Sequence, residues 1–91
     1  MNNNERITAI KRALKCLEPT ILDVKDDSAR HRGHAGAQSG KGHFCLKIAA
    51  PSLSKSNLLQ AHRQIYKAIG SLMETEIHAL SITIIEATLD D

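Results

Sequence analysis

HFCLKIAAPSLSKSNLLQAHRQIYKAIGSLMETEIHALSITI, residues 43–84, decides the fold. It begins and ends in period-two runs. Phe44, Leu46 and Ile48 alternate with Cys45, Lys47 and Ala49, and Leu80, Ile82 and Ile84 alternate with Ser81 and Thr83. Such alternation lays one apolar face on a core and marks a half-buried strand. Between them, SNLLQAHRQIYKAIG (56–70) brings Leu58, Leu59, His62, Ile65, Tyr66 and Ile69 onto one helical face. Pro51 cannot continue a ladder, Ser54 or Ser56 can cap the helix, and Gly70 is placed to end it. SLMETE adds a second, short helical turn. A strand joined to the next through a helical crossover is free to lie parallel to a neighbour.

Upstream, Leu22 and Val24 alternate with Asp23 and Lys25 in TILDVK, a further short strand. Residues 26–42 then follow no period, a long loop for a compact domain and therefore a place to look for function. The two strands flanking it are expected to pair as an antiparallel hairpin. At the N-terminus Asn2, Asn3 and Asn4 offer caps. Ile7, Ile10, Leu14 and Leu17 recur at helical spacing, while Arg6, Lys11, Arg12 and Lys15 fall largely on the other side, and Pro19 stops the pattern. The spacing predicts a helix over 4–17. Residues 1–3 and the acidic tail 87–91 are expected to fray. The order is helix, strand, strand, helix, short helix, strand. It describes one α/β (α+β) domain over 1–91, a three-stranded mixed sheet covered by helices on one face.

Hydrophobic residues make up 42% of the chain, too many for a disordered one, and the aromatic residues are only Phe44 and Tyr66, so the core must be aliphatic. A net charge of +2 gives weak support to nucleic-acid binding and none to membrane binding. Cys16 and Cys45 lie far apart with no CxxC partner, as expected in a reducing compartment, and Cys16 beside the apolar stripe reads as inert. No signal peptide or long apolar run is visible. A cytoplasmic protein is the expectation.

The long loop and the start of the next strand read HRGHAGAQSGKGHF, carrying three of the five histidines. His31 and His34 sit among small residues, accessible either as solvated side chains or as ligands to a metal brought by a partner. Alternation points His43 away from the core, as a strand-edge polar residue or a ligand. His62, on the apolar helix face, reads as a core histidine. His78 shares the parity of Leu80 and Ile82, so alternation tucks it toward the helices, although a strand's first residue can still emerge at the rim. Gly33-His34-Ala35-Gly36 matches the GxxG of KH domains, but that loop belongs between two helices and here lies between two strands. Glu74 and Glu76 read as solvated, and no nucleophile is accompanied by a base, so an enzyme is not indicated.

Taken together, LDVKDDSARHRGHAG, GHFCLKI, AHRQIY and IHALSI resemble the BolA family over roughly residues 5–85. The family's usual F-x-G is replaced by Leu53-Ser54-Lys55 and its R-H-R by Ala61-His62-Arg63. The resemblance implies a fold like that of class II KH domains. It implies a partner of monothiol glutaredoxins sharing a bridging [2Fe–2S] cluster, for which the glutaredoxin supplies a cysteine thiolate and a glutathione thiolate. The histidine of IHAL, here His78, is then one ligand. The second comes from the loop, where the usual position falls on His34, with His31 and His43 as competitors. None of the cluster is expected in the isolated protein. Histidine in place of cysteine raises the potential of such clusters, as in Rieske centres. Imidazole must also lose its proton to bind, so affinity should fall as pH drops through about 6.5.

The alternative the resemblance carries is a KH-like, DNA-binding transcriptional regulator, with Arg63 on its partner or nucleic-acid surface. The apo chain is expected as a monomer or weak homodimer, with no membrane partner.

Overall fold

The computed structural model describes residues 1–28 and 40–86. His31, His34 and the GxxG match therefore lie outside the described residues, as does the tail from 87 onward.

Helix α1 spans Asn3–Leu14, and a single 3₁₀ turn, Lys15–Leu17, follows it. The start is a capping box. The Asn2 side chain accepts from the Glu5 backbone N–H at 2.8 Å, and Glu5 accepts from the Asn2 backbone N–H at 3.1 Å. These two bonds tie Asn2 to the first turn of the helix. Strand β1 is Ile21–Asp26 and β2 is Gly42–Ala49. Pro51 then opens a four-residue helix, α2 (Pro51–Ser54), where only a turn was expected. Proline suits a first helical position, because that N–H has no intrahelical partner to lose. Helix α3 is Leu58–Ile69, α4 is Leu72–Thr75, and β3 is Ile77–Ile84. Asn57 caps α3 rather than either serine, accepting from the Gln60 N–H at 2.8 Å, and Gly70 ends the helix at φ +63°.

The sheet order is β1-β2-β3. β1 pairs antiparallel with β2 from Ile21↔Ala49 to Asp26↔Phe44, and β3 lies parallel to β2. The hairpin and the helical crossover are therefore as expected. Ile10 and Leu14 of α1, Val24, Phe44, Leu46, Ile48, Leu53, and Ala61, Ile65 and Ile69 of α3 pack with Ile77 into one aliphatic cluster around a single ring. The opposite face carries the exposed side chains of Lys25, Lys47, Ser81 and Thr83.

The α3 stripe is narrower than its sequence implied. Leu58, Leu59 and Tyr66 are 70%, 61% and 42% exposed, while Ala61, Ile65 and Ile69 are buried. α1 shares the covered face of the sheet, through Ile10 and Leu14, so α3 is buried mainly along its i, i+4, i+8 line.

Candidate metal-ligand site

The decisive local feature is a register shift in the β2–β3 ladder. Gly42 pairs with Ile77, but His43 pairs with Ala79, so β3 spends one extra residue, His78, over that step. This is a β-bulge, which re-aims the side chains around it. Without it, Ile77 and Leu80 would face opposite sides of the sheet. With it, both pack against the core, Ile77 at 2% exposure, and His78 is turned out to solvent. The alternation that tucked His78 toward the helices fails here because alternation assumes an unbroken ladder.

His43 keeps the parity expected of it, since Phe44, Leu46 and Ile48 fill the core. Yet it is only 4% exposed, a buried polar side chain and not a solvated strand-edge one. Its ring stands 5.0 Å from that of His78, centroid to centroid, at an interplanar angle of 53°. The backbone around it is tied on both sides. Its N–H donates to the Ser28 hydroxyl at 3.1 Å, and its carbonyl accepts from the Asp27 N–H at 2.7 Å.

Ser28 belongs to a small network at the end of β1. The Ser28 backbone N–H donates to Asp26 Oδ1 at 2.8 Å, and the Asn3 amide donates to Asp26 Oδ2 at 2.9 Å and to the Ser28 hydroxyl at 3.2 Å. Burial pushes the Asp26 carboxyl up. The Ser28 backbone and hydroxyl, the Asn3 amide and the nearby His43 outweigh that and hold it below its ordinary value.

A second anchor is Arg6. Its Nε donates to Glu76 Oε1 at 2.9 Å, its Nη1 to Asn3 Oδ1 at 2.8 Å and its Nη2 to the Gly40 carbonyl at 2.6 Å. The Gly42 N–H donates to the Glu76 carbonyl at 3.0 Å, closing the same corner. Arg6 and Glu76 were both expected in solvent. Their side chains are 12% and 20% exposed. The Arg6 hydrogen bond holds the Glu76 carboxyl below the usual carboxylate range against a small opposing effect of burial. The pairing spans seventy residues of sequence, so no local pattern announces it.

His62 is half-buried on the surface of α3, edge-on to Tyr66 at 6.4 Å, and is not the core histidine expected. Arg63 beside it is exposed, and Cys16 is exposed as well. Of the histidines singled out, the described residues bring together His43 and His78 alone, on the exposed sheet face where β2 and β3 begin. Among the described residues, no three His, Cys, Asp or Glu side chains converge to hold a metal ion, and no helix is long and apolar enough to cross a membrane.

Comparison with known proteins bears on this arrangement. The family of BolA-like proteins matches residues 13–88. The chain is 38% identical over 71 residues to protein BOLA1, chloroplastic, of Arabidopsis thaliana, covering 75% of this chain but 44% of that protein. It is 33% identical over 78 residues to the DNA-binding transcriptional regulator BolA of Escherichia coli, covering 86% of this chain and 70% of the relative. The solved BolA domain of SufE1 from Arabidopsis thaliana superimposes with a TM-score of 0.75 at 32% identity, over 89% of this chain and 91% of that one. The chain thus spans under half the length of its chloroplastic relative, and the part it shares is a whole domain. With the family matched from the end of the first helix to beyond the last strand, and the fold matched by a solved member, this chain belongs to the BolA family.

Proposed function

We propose that this chain is a non-enzymatic partner of a monothiol glutaredoxin, sharing with it a bridging [2Fe–2S] cluster for assembly, transfer or sensing of iron–sulfur clusters. The observation that carries this reading is the bulge at His78. The fold departs from a regular ladder to hold an imidazole outward beside His43, at the root of the segment that contains His31 and His34. The donor chemistry fits. Two neutral imidazoles are too few for a complete cluster shell and suit a cluster whose remaining ligands are thiolates supplied by another molecule. His78 is one ligand, and His34 is the second, with His31 and His43 as competitors.

When bound, such a cluster supplies one-electron chemistry at a potential raised by its nitrogen ligands. The chain's own part is to present His78 on a strand and to keep water from one side of it with the buried His43 ring. A ligand on a strand is held more firmly than one on a loop. The pairing of a strand ligand with one from residues 29–39 suits a group that must be accepted and released.

The test is a titration of the chain into cluster-loaded monothiol glutaredoxin, followed by visible absorption and circular dichroism, with His78→Ala and His34→Ala alongside. A new spectrum that saturates at equimolar ratio and is lost in both variants supports the reading. Survival in His34→Ala moves the second ligand to His31 or His43. No change with the wild-type chain refutes it.

A second reading, binding of DNA by a KH-like fold, is favoured by the name of the Escherichia coli relative and by a shallow groove on α1 lined by Thr8, Lys11, Arg12 and Lys15. Arg63, exposed on α3, is a further candidate contact for such a partner. Binding of this kind weakens steeply as salt rises, because each phosphate contact releases counterions. Submicromolar, sequence-selective DNA binding without glutaredoxin would promote this reading over the first.

A further inference from the structure

The first turn of α1 touches three separate places at once. Asn3 donates to Ser28, where the chain leaves β1 for residues 29–39, and to Asp26 beside it. Arg6 donates to the Gly40 carbonyl, where the chain returns from that segment, and to Glu76, two residues before His78. The two side chains are joined to each other through Arg6 Nη1 and Asn3 Oδ1. Both roots of the histidine-bearing segment and the start of the histidine-bearing strand thus hang on one pair of helical side chains.

We infer that Arg6, acting with Asn3, is a positioning residue for His78: it ties Ser28 and Gly40 to Glu76, two residues before the bulge, and so fixes where β3 begins. This rests on the cluster-sharing reading for its functional meaning, although the geometry stands apart from it.

The chemistry of the side chain fits the task. A guanidinium offers several donors in a planar fork and can serve three acceptors in different directions, while a lysine ammonium is a point charge on a flexible stem. Here the fork satisfies a carboxylate, a backbone carbonyl and a side-chain amide together, in a partly buried corner where charge-assisted bonds are strong. None of the three acceptors is a candidate ligand, so Arg6 acts on the site only through the backbone it holds. The corner is also closed sterically. Gly42 is buried, and a Cβ there would run into the Phe44 ring and come within 3.0 Å of Asn3 Oδ1. Asn3, Arg6, Gly42 and Glu76 are thus linked at one corner, by hydrogen bonds and by the close approach of Asn3 to Gly42.

The experiment compares wild type with Arg6→Gln, Arg6→Lys and Asn3→Ala, using the exposed Lys55→Gln as control. In the chain alone, NMR reads the through-space contact between the His43 and His78 rings and the ring shifts of His78, below the unfolding midpoint of each variant. With cluster-loaded glutaredoxin, visible circular dichroism reads the form of the shared cluster and the concentration at which it is lost. Arg6→Gln is expected to shift the His78 ring signals, weaken the contact with His43 and loosen the shared cluster roughly tenfold, the scale for groups that orient a ligand without touching the metal. Arg6→Lys is expected to recover only part of this, and Lys55→Gln to change nothing. Unaltered His78 signals and cluster spectrum in folded Arg6→Gln would reduce Arg6 to a stabilising contact and overturn the inference. If Arg6→Gln does not fold, Arg6→Lys and Asn3→Ala are read in the same way, and unaltered signals in both overturn it. A wild-type chain that forms no shared cluster sinks the cluster reading, while the NMR comparison still decides whether Arg6 positions His78.

Discussion

The imidazoles of His43 and His78 stand 5.0 Å apart because β3 takes two residues, His78 and Ala79, to cover the step that β2 covers with one. One ring is buried and the other faces solvent, so the pair has a fixed member and an accessible one. An exposed side chain on a bulge contributes little to packing, which separates its role in binding from any role in folding.

His78→Ala is accordingly expected to change stability by no more than about 0.5 kcal/mol, as for surface substitutions generally. It should nevertheless abolish the spectrum of a cluster shared with glutaredoxin. Thermal unfolding and visible circular dichroism on the same sample check both halves.

Gly42→Ala is expected to destabilise the fold by about 1–3 kcal/mol, the usual cost of forcing extra volume into a packed site. The added methyl would meet the Phe44 ring, itself 1% exposed and unable to swing aside into solvent. Urea unfolding measures this. A loss under about 0.5 kcal/mol, the scale of a neutral surface change, would show that the corner between β2 and α1 is softer than its contacts imply.

The two faces of α3 should differ sharply. Ile65 is 0% exposed, and Ile65→Ala should cost about 2–5 kcal/mol through lost burial and a residual cavity. Against a total of about 5–15 kcal/mol for a domain, that threatens folding outright. Leu59, 61% exposed, should tolerate Leu59→Ala with little change. Denaturation midpoints of the two variants give the comparison.

Asp26 makes stability depend on pH in a defined direction. Its carboxyl is held below the ordinary value of 3.8, so the folded state favours the ionised form. The resulting stabilisation is fully present above 3.8 and is lost as pH falls through the lower folded-state value. Asp26→Asn should therefore reduce stability at neutral pH, and the gap to wild type should close as pH falls through the folded-state value, below which both side chains are neutral. Urea unfolding at several pH values tests this, and a gap independent of pH would assign the effect to the hydrogen bonds alone.

Much of the architecture was legible in the chain. The alternation of Phe44, Leu46 and Ile48, the helical spacing of Ile10 and Leu14, the stop at Gly70 and the crossover between two strands all led to the elements and order observed. These are local signals, set by side chains within a few residues of one another. The α3 stripe was read too widely, because periodicity reports which residues could face a core and not how broad that core is. Leu58, Leu59 and Tyr66 are the result.

The site was legible in its residue types and not in its geometry. IHAL and HF drew attention to His78 and His43, but alternation misdirected His78 and left His43 in solvent. A bulge is a property of two strands in register, and the register between β2 and β3 is decided by how Ile77 and Leu80 both reach the core across the sheet. The Arg6–Glu76 pair was invisible for a related reason. Seen along the chain, an arginine on the polar side of a helix and a glutamate in a turn are two solvated charges. Packing α1 against the sheet brings them within 2.9 Å and removes most of the water between them. Local chain chemistry determines which elements form and in what order. The meeting of residues from distant elements, and with it the aim of a candidate ligand, is settled only when the elements pack, because burial and strand register act on surfaces that no short stretch of sequence contains.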